Sequence, residues 1–269
     1  MARRHESAAR GGGSRATNDA TCICFEACSR ESSNATVSRL RKLGLAPAPG
    51  TDAQNRERRA AEMVSASAPW GVEVELVLML ENAATSFASP VPPEGFVTRD
   101  QGFGHFVFAV AGMQVYQAAR RFAMEGLGLK LSDTLRMPMD PGEMNVWFFH
   151  CNARHHSVAI ANVPIPEVAK KLHHSNFEVS RVAAVGAAYE RALAAGTLIA
   201  NMIGQHENDG MVSFCSVGPS GWQVEIGATG RQIGDDWDDV IEYTRVSLWG
   251  HQQPAVLAQM RGLTISAIP

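Results

Sequence analysis

Three side chains in this chain of 269 residues have the types and settings of metal ligands. They are His105 in Gly-Phe-Gly-His-Phe-Val-Phe, His174 in Leu-His-His-Ser-Asn-Phe-Glu-Val and Glu225 in Gly-Trp-Gln-Val-Glu-Ile-Gly. Two neutral imidazoles and one carboxylate on one flank of a ferrous ion leave its other positions open, the ligand set of non-haem Fe(II) enzymes that handle O2. Each residue alone has a plainer reading. A lone histidine on a strand serves as a hydrogen-bonded core residue, and a glutamate lies on a wet sheet face. Glu225 sits between Val224 and Ile226, however, and if buried it needs a partner or an ion to offset its desolvation.

The elements that must position these residues repeat. From His105 to Val110 the sequence alternates, with His105, Val107 and Ala109 on one face and Phe106, Phe108 and Val110 on the other. A helical stretch follows from Met113 to about Glu125 and closes at Gly126. His174 to Val179 behaves the same way, with His174, Asn176 and Glu178 sharing a face, and a helix from about Val182 to Ala195 closes at Gly196. His174 lies 69 residues after His105, and Glu225 lies 69 residues after His156. Two copies of a strand–helix–strand–strand–strand unit would bring all four side chains toward one cup.

Upstream the pattern fades. Residues 1–36 are rich in Ala, Arg, Ser, Gly and Asn with neither a two-residue nor a 3.6-residue apolar period, and are expected to be disordered. The Cys22, Cys24 and Cys28 cluster lacks the paired CxxC spacing of a zinc site and reads as incidental thiols. A short helix is expected from Thr36 to about Leu45, and Gly71–Leu78 alternates like a strand with one wet face. Pro90, Pro92, Pro93 and Gly95 form a linker, so the well-organised part starts near residue 100.

Composition sets the remaining bounds. With 45% hydrophobic and 19% charged residues, the chain can bury a sizeable core. A net charge of −3 and a pI near 6.3 supply no basic footprint, so nucleic acid and membrane surfaces are not expected partners, and a small molecule is. Five scattered cysteines, no signal-peptide core and no apolar run of about 18 residues lead to the expectation of a cytoplasmic protein.

Five segments carry a resemblance to a known family. Gln101–His105, Phe149–Ala159 (Phe-His-Cys-Asn-Ala-Arg-His-His-Ser-Val-Ala), Leu172–His174, Gly204–Asp209 (Gly-Gln-His-Glu-Asn-Asp) and Pro219–Glu225 resemble, in order, the motifs of type I extradiol catechol dioxygenases. The similarity is to the branch that acts on 2,3-dihydroxybiphenyl, within the vicinal oxygen chelate superfamily. It spans roughly residues 84–251, including the tail Tyr243–His251. It implies an α+β fold of paired βαβββ units forming a half-open barrel around a metal site. It implies Fe(II) held by His105, His174 and Glu225, His156 as the acid–base group and His206 against the substrate hydroxyl. Asn208 and Asp209 would be neighbouring polar residues of the pocket. The implied reaction is ring cleavage, beside the diol, of a catechol such as a biaryl or other substituted 2,3-diol, with O2 as co-substrate. Relatives commonly form symmetric particles, so a homo-oligomer is expected.

Residues 155 and 173, both histidines, would point away by strand alternation and read as structural. Trp147, Phe148, Phe149 and Trp222 suggest an aromatic cavity. Two departures from the family pattern stand out. Cys215 occupies a substrate-side position where the family usually has tyrosine, and a thiol is a poorer donor. Only 104 residues precede His105, where the family carries a complete pair of units. The resulting expectation is a disordered segment 1–36, a partial N-terminal βαβββ domain with linker over 37–99, and a catalytic domain over 100–269. Val72–Leu80 would then be partly bare. Competing readings are an inactive or weakly active truncated relative that binds an aromatic ligand without turnover, and glyoxalase-like isomerase or lyase chemistry. The Gly204–Asp209 segment disfavours the last.

Overall fold

The computed structural model describes residues 19–254, apart from positions 86, 93, 166–170, 235, 236 and 238. Three βαβββ units follow one another. The first comprises β1 (Cys22–Ala27), α1 (Arg30–Lys42), β2 (Ala48–Pro49), β3 (Ala60–Ser67) and β4 (Glu73–Leu80), with a short α2 (Asp52–Arg58) before β3. Its four strands lie in the order β1-β4-β3-β2, and β1 runs parallel to β4.

This corrects the reading of the N-terminus. Disorder through residue 36 and a partial domain from residue 37 do not hold from Cys22 onward; residues 1–18 lie outside the described part. Helix α1 starts at Arg30 because Ser29 and Ser32 form a reciprocal capping box, and Thr36 and Leu40 supply its buried contacts. Nor is β4 bare. Val72, Val74, Val77 and Leu78 are all buried.

The second unit is β5 (Phe106–Ala111), α3 (Met113–Arg121), β6 (Lys130–Pro138), β7 (Glu143–His150) and β8 (Val158–Val163). Helix α3 continues into a wider π-helical turn, Phe122–Leu127, just past the expected stop at Gly126. The third unit is β9 (Leu172–Glu178), α4 (Val182–Ala194), β10 (Ile199–His206), β11 (Val212–Val217) and β12 (Gln223–Ala228). Both units place their first strand parallel to their last, and β5 and β9 join them antiparallel, with Val107 opposite His174. Two short strands, β13 (Glu242–Tyr243) and β14 (Ser247–Trp249), close a ten-stranded sheet in the order β13-β6-β7-β8-β5-β9-β12-β11-β10-β14. The mirrored order around the β5·β9 seam is the half-open barrel that the resemblance implied.

Strand alternation sorts the side chains. Phe108, Val110, Phe149, Val158 and Ile160 point to the helix side, where Tyr116 and Phe122 meet Ile23, Leu40, Trp70 and Val72 of the first unit in one continuous core. The first unit therefore backs the strand that His105 introduces. Under α4, Val179, Val185, Ile199, Phe214 and Ala228 form a separate cluster. Val107, Leu135, Val146, Ala159 and Ala161 line the opposite face of the second unit.

Candidate metal centre

Each ligand position follows from its strand. His105 immediately precedes β5, His174 is the third residue of β9, and Glu225 is the third residue of β12. Glu225 pairs with Asn176 in the parallel β12·β9 register, which sets it next to His174 on the shared face. Gly104 lets the lead-in to β5 press against β9, because a Cβ there would collide with the carbonyl of Asn176.

The three expected ligands converge. His105 Nε2 lies 3.1 Å from Glu225 Oε2 and 3.3 Å from His174 Nε2, and His174 Nε2 lies 3.6 Å from Glu225 Oε2. Donors about 2.1 Å from one ion and at right angles to each other lie about 3 Å apart, so the spacing fits a metal on one flank. Charge state fits as well. Burial pushes the His174 imidazole well below its ordinary value, leaving a neutral ring whose lone pair can bind. Burial opposes the Glu225 charge, yet hydrogen bonding from His105 and His206 holds its carboxyl well below the usual range.

Glu225 is only 1% exposed, and every partner it has is polar. Asn176 Nδ2 donates to Oε2 at 2.9 Å, Ser213 Oγ donates to Oε1 at 2.7 Å, and His206 Nε2 stands 3.0 Å from Oε1. Burial works against charge on His206, but the Glu225 hydrogen bond and the Glu225 and Asp209 charges together lift its imidazole to about 9. His251 closes this side, with Nε2 3.1 Å from Ser213 Oγ and its ring 4.2 Å from that of His206.

The remaining expected residues fall into place around this group. The His156 ring lies 3.9 Å from that of His105, centroid to centroid, and burial pushes its imidazole well below the ordinary value. Asp209 Oδ1 accepts the Met211 N–H, while Oδ2 lies 3.9 Å from His156 Nδ1. Asn208 is buried, and its Nδ2 has no protein partner among the described residues. Cys215 is buried directly across β11·β12 from Glu225, so its thiol shares the Glu225 face.

Three site residues escaped the sequence reading. Asn176 and Ser213 grip Glu225, and His251 braces Ser213. For Asn176 a signal existed, since it lies two residues past His174 on the same strand face. Fewer of the expected aromatic side chains face the site than the sequence suggested. Trp147 stacks on Tyr116 at 3.7 Å on the helix side with Phe149, and only Phe148 of this run faces His156, at 5.0 Å. Trp222 packs against that same helix-side core.

A repeated βαβββ frame with an inward two-histidine, one-carboxylate group defines a class, and sequence comparison agrees. Residues 102–226 match the family described as the Glyoxalase/Bleomycin resistance protein/Dioxygenase superfamily. The chain is 36% identical over 221 residues to a biphenyl-2,3-diol 1,2-dioxygenase of Metapseudomonas furukawaii, covering 80% of this chain and 69% of that protein. It is 35% identical to an iron-dependent extradiol dioxygenase of Rhodococcus jostii, covering 79% and 71%. The crystal structure of a halotolerant catechol dioxygenase superimposes with a TM-score of 0.77 at 30% identity, covering 87% of this chain and 76% of that one. The chain belongs to the extradiol dioxygenases of this superfamily.

Proposed function

We propose that this chain cleaves a biaryl or other substituted 2,3-diol beside its two hydroxyls, using Fe(II) held by His105, His174 and Glu225. The convergence of those three donor atoms carries the reading. When bound, the iron supplies open positions at which the diol and O2 meet. Everything else falls to the protein's own groups.

His206, whose Nε2 stands 3.0 Å from Glu225 Oε1, sets a hydrogen-bonding imidazole beside the place where a diol loses its first proton and orients the ring oxygen there. The neutral His156 ring, tilted against His105 with centroids 3.9 Å apart, accepts a proton from the substrate side and returns it as the ring opens. Asn208 Nδ2, a buried donor without a protein partner, fits an oxygen of the bound ligand. The apolar face of Val107, Phe148 and Ala159 packs against the hydrocarbon part. One C–C bond next to the diol breaks and both O2 atoms enter the product, a 2-hydroxymuconic semialdehyde or its aryl relative.

The test is reconstitution. Protein prepared under nitrogen, loaded with Fe(II) and given 2,3-dihydroxybiphenyl in air should turn yellow with equimolar O2 uptake, faster than with unsubstituted catechol. His174→Ala should lose both iron and colour. Iron binding by wild type without turnover of either diol would support the alternative reading, a relative that holds an aromatic ligand only, and overturn this one.

A further inference from the structure

Behind His156, on the side away from the metal ligands, lies a second buried polar chain. Asp133 of β6 and His155, in the irregular turn before β8, are 0% and 1% exposed. His155 Nε2 lies 2.6 Å from Asp133 Oδ2, and His155 Nδ1 lies 3.1 Å from His156 Nδ1. Asp133 Oδ1 is held by the Ile241 N–H at 2.9 Å. Ser132 Oγ donates to the His155 carbonyl, and Phe148 and Trp237 flank the His155 ring at 6.2 and 6.3 Å. Both ring nitrogens of His155 are thus engaged, and strand alternation does not govern its direction, because strand geometry begins only at Val158.

Hydrogen-bond logic assigns the protons along this chain. Two imidazole nitrogens face each other, so one must donate and the other accept. An ionised carboxylate accepts only, so His155 Nε2 carries the hydrogen toward Asp133, and a neutral ring then leaves its Nδ1 as a lone pair. His156 Nδ1 must supply the hydrogen between the rings. Its far nitrogen, Nε2, is left bare. His155, His156 and Asp209 also have ligand atoms within 4.8 Å of one another, and a cation there would equally leave His155 Nε2–H on Asp133; the proton assignment accounts for the short contacts with no added ion.

We propose that Asp133 and His155 are positioning residues that fix the tautomer of His156, so that its Nε2 meets the substrate as a proton acceptor first and a donor afterwards. This rests on the acid–base role given to His156 above. Orienting partners of this kind typically alter activity about 10- to 100-fold when removed.

Asp133→Asn tests it without leaving a hole. The amide oxygen can keep the Ile241 N–H, and the amide nitrogen then donates to His155 Nε2, which reverses both rings. In long-range 1H–15N spectra of the metal-free protein, wild type should show His156 protonated at Nδ1 and His155 at Nε2, and the variant should show the opposite pair. Turnover of 2,3-dihydroxybiphenyl should fall about 10- to 100-fold in kcat, with KM and bound iron unchanged. Wild type with hydrogen on His156 Nε2, a doubly protonated His155, or unswitched rings in the variant would overturn the assignment at the dyad. Switched rings with unchanged kcat would overturn it at the role of His156. If Asp133→Asn does not fold, His155→Phe keeps the ring packing, and the single tautomer of His156 should become a mixture; persistence of the Nδ1–H form alone would overturn the proposal.

Discussion

The metal-free protein should lose stability between pH 6.5 and pH 9, and His206 should cause the loss. Its folded imidazole is lifted to about 9 from an ordinary 6.5, against the pull of burial, by Glu225 and Asp209. A folded value above the unfolded one means that the protonated form is stabilised by folding. The contribution is fully present below pH 6.5 and disappears as pH rises through about 9. A shift of that size corresponds to about 3 kcal/mol.

Other shifted groups leave this window clear. His156 and His174 are pushed below the ordinary histidine value, and His251 is pushed down to about 4, so their titrations lie on the acid side. Thiols of Cys22, Cys24, Cys151 and Cys215 are raised from 9.0, so they begin to cost stability only as pH approaches that value, where the unfolded thiols ionise. Urea unfolding of chelator-stripped protein at intervals from about pH 7 to 8 measures the His206 slope clear of them. Glu225→Gln removes the main lifting partner and should flatten it. A wild-type profile already flat, or a slope surviving in Glu225→Gln, would refute the assigned charge on His206.

Four further outcomes follow from the packing. Asn176→Ala deletes a 2.9 Å donor to Glu225 and should weaken Fe(II) binding about 10- to 100-fold in anaerobic competition with a chelator. Gly104→Ala should displace the lead-in to β5 from Asn176 and lower bound iron per chain, read by metal analysis, while circular dichroism stays native. Trp70 packs on Phe108 and Phe122 at 5.7 and 5.6 Å, so Trp70→Ala should cost about 3–5 kcal/mol in urea unfolding, with the first and second units melting together because they share one core. A thiol reagent should modify exposed Cys28 quickly and buried Cys215 only on unfolding, as mass spectrometry of the labelled peptides would show.

The convergence of His105, His174 and Glu225 was legible from the repeat and from the ordered motifs around them. Alternation placed His174 and Asn176 on one face, and the repeat offset paired His105 with His174; the same offset set His156 against Glu225 and was wrong there, because His156 lies in the turn before β8 and the strand register makes Ala159 the counterpart of Glu225. What could not be read depended on distant partners. Strand β1 buries only Ile23, and its pairing with β4 joins Cys22 to Glu73 across a long sequence gap, so nothing local announced it. Ser29 looked like part of a polar tail, although its spacing to Ser32 is the signal for a helix start. Ser213 acquires its role only when β11 and β12 align. The direction of His155 was not legible because a two-residue rule does not hold in the turn before β8.

Duplication with a mirrored seam gives His105 its counterpart in His174, and because Phe106 pairs with Val158 as Ser175 pairs with Val224, it gives Glu225 its counterpart in Ala159. Three of these four positions carry a donor atom and the fourth carries a methyl group. A donor installed at that fourth position is thus the smallest edit by which such a twinned frame would gain a further arm while the other three stay in place.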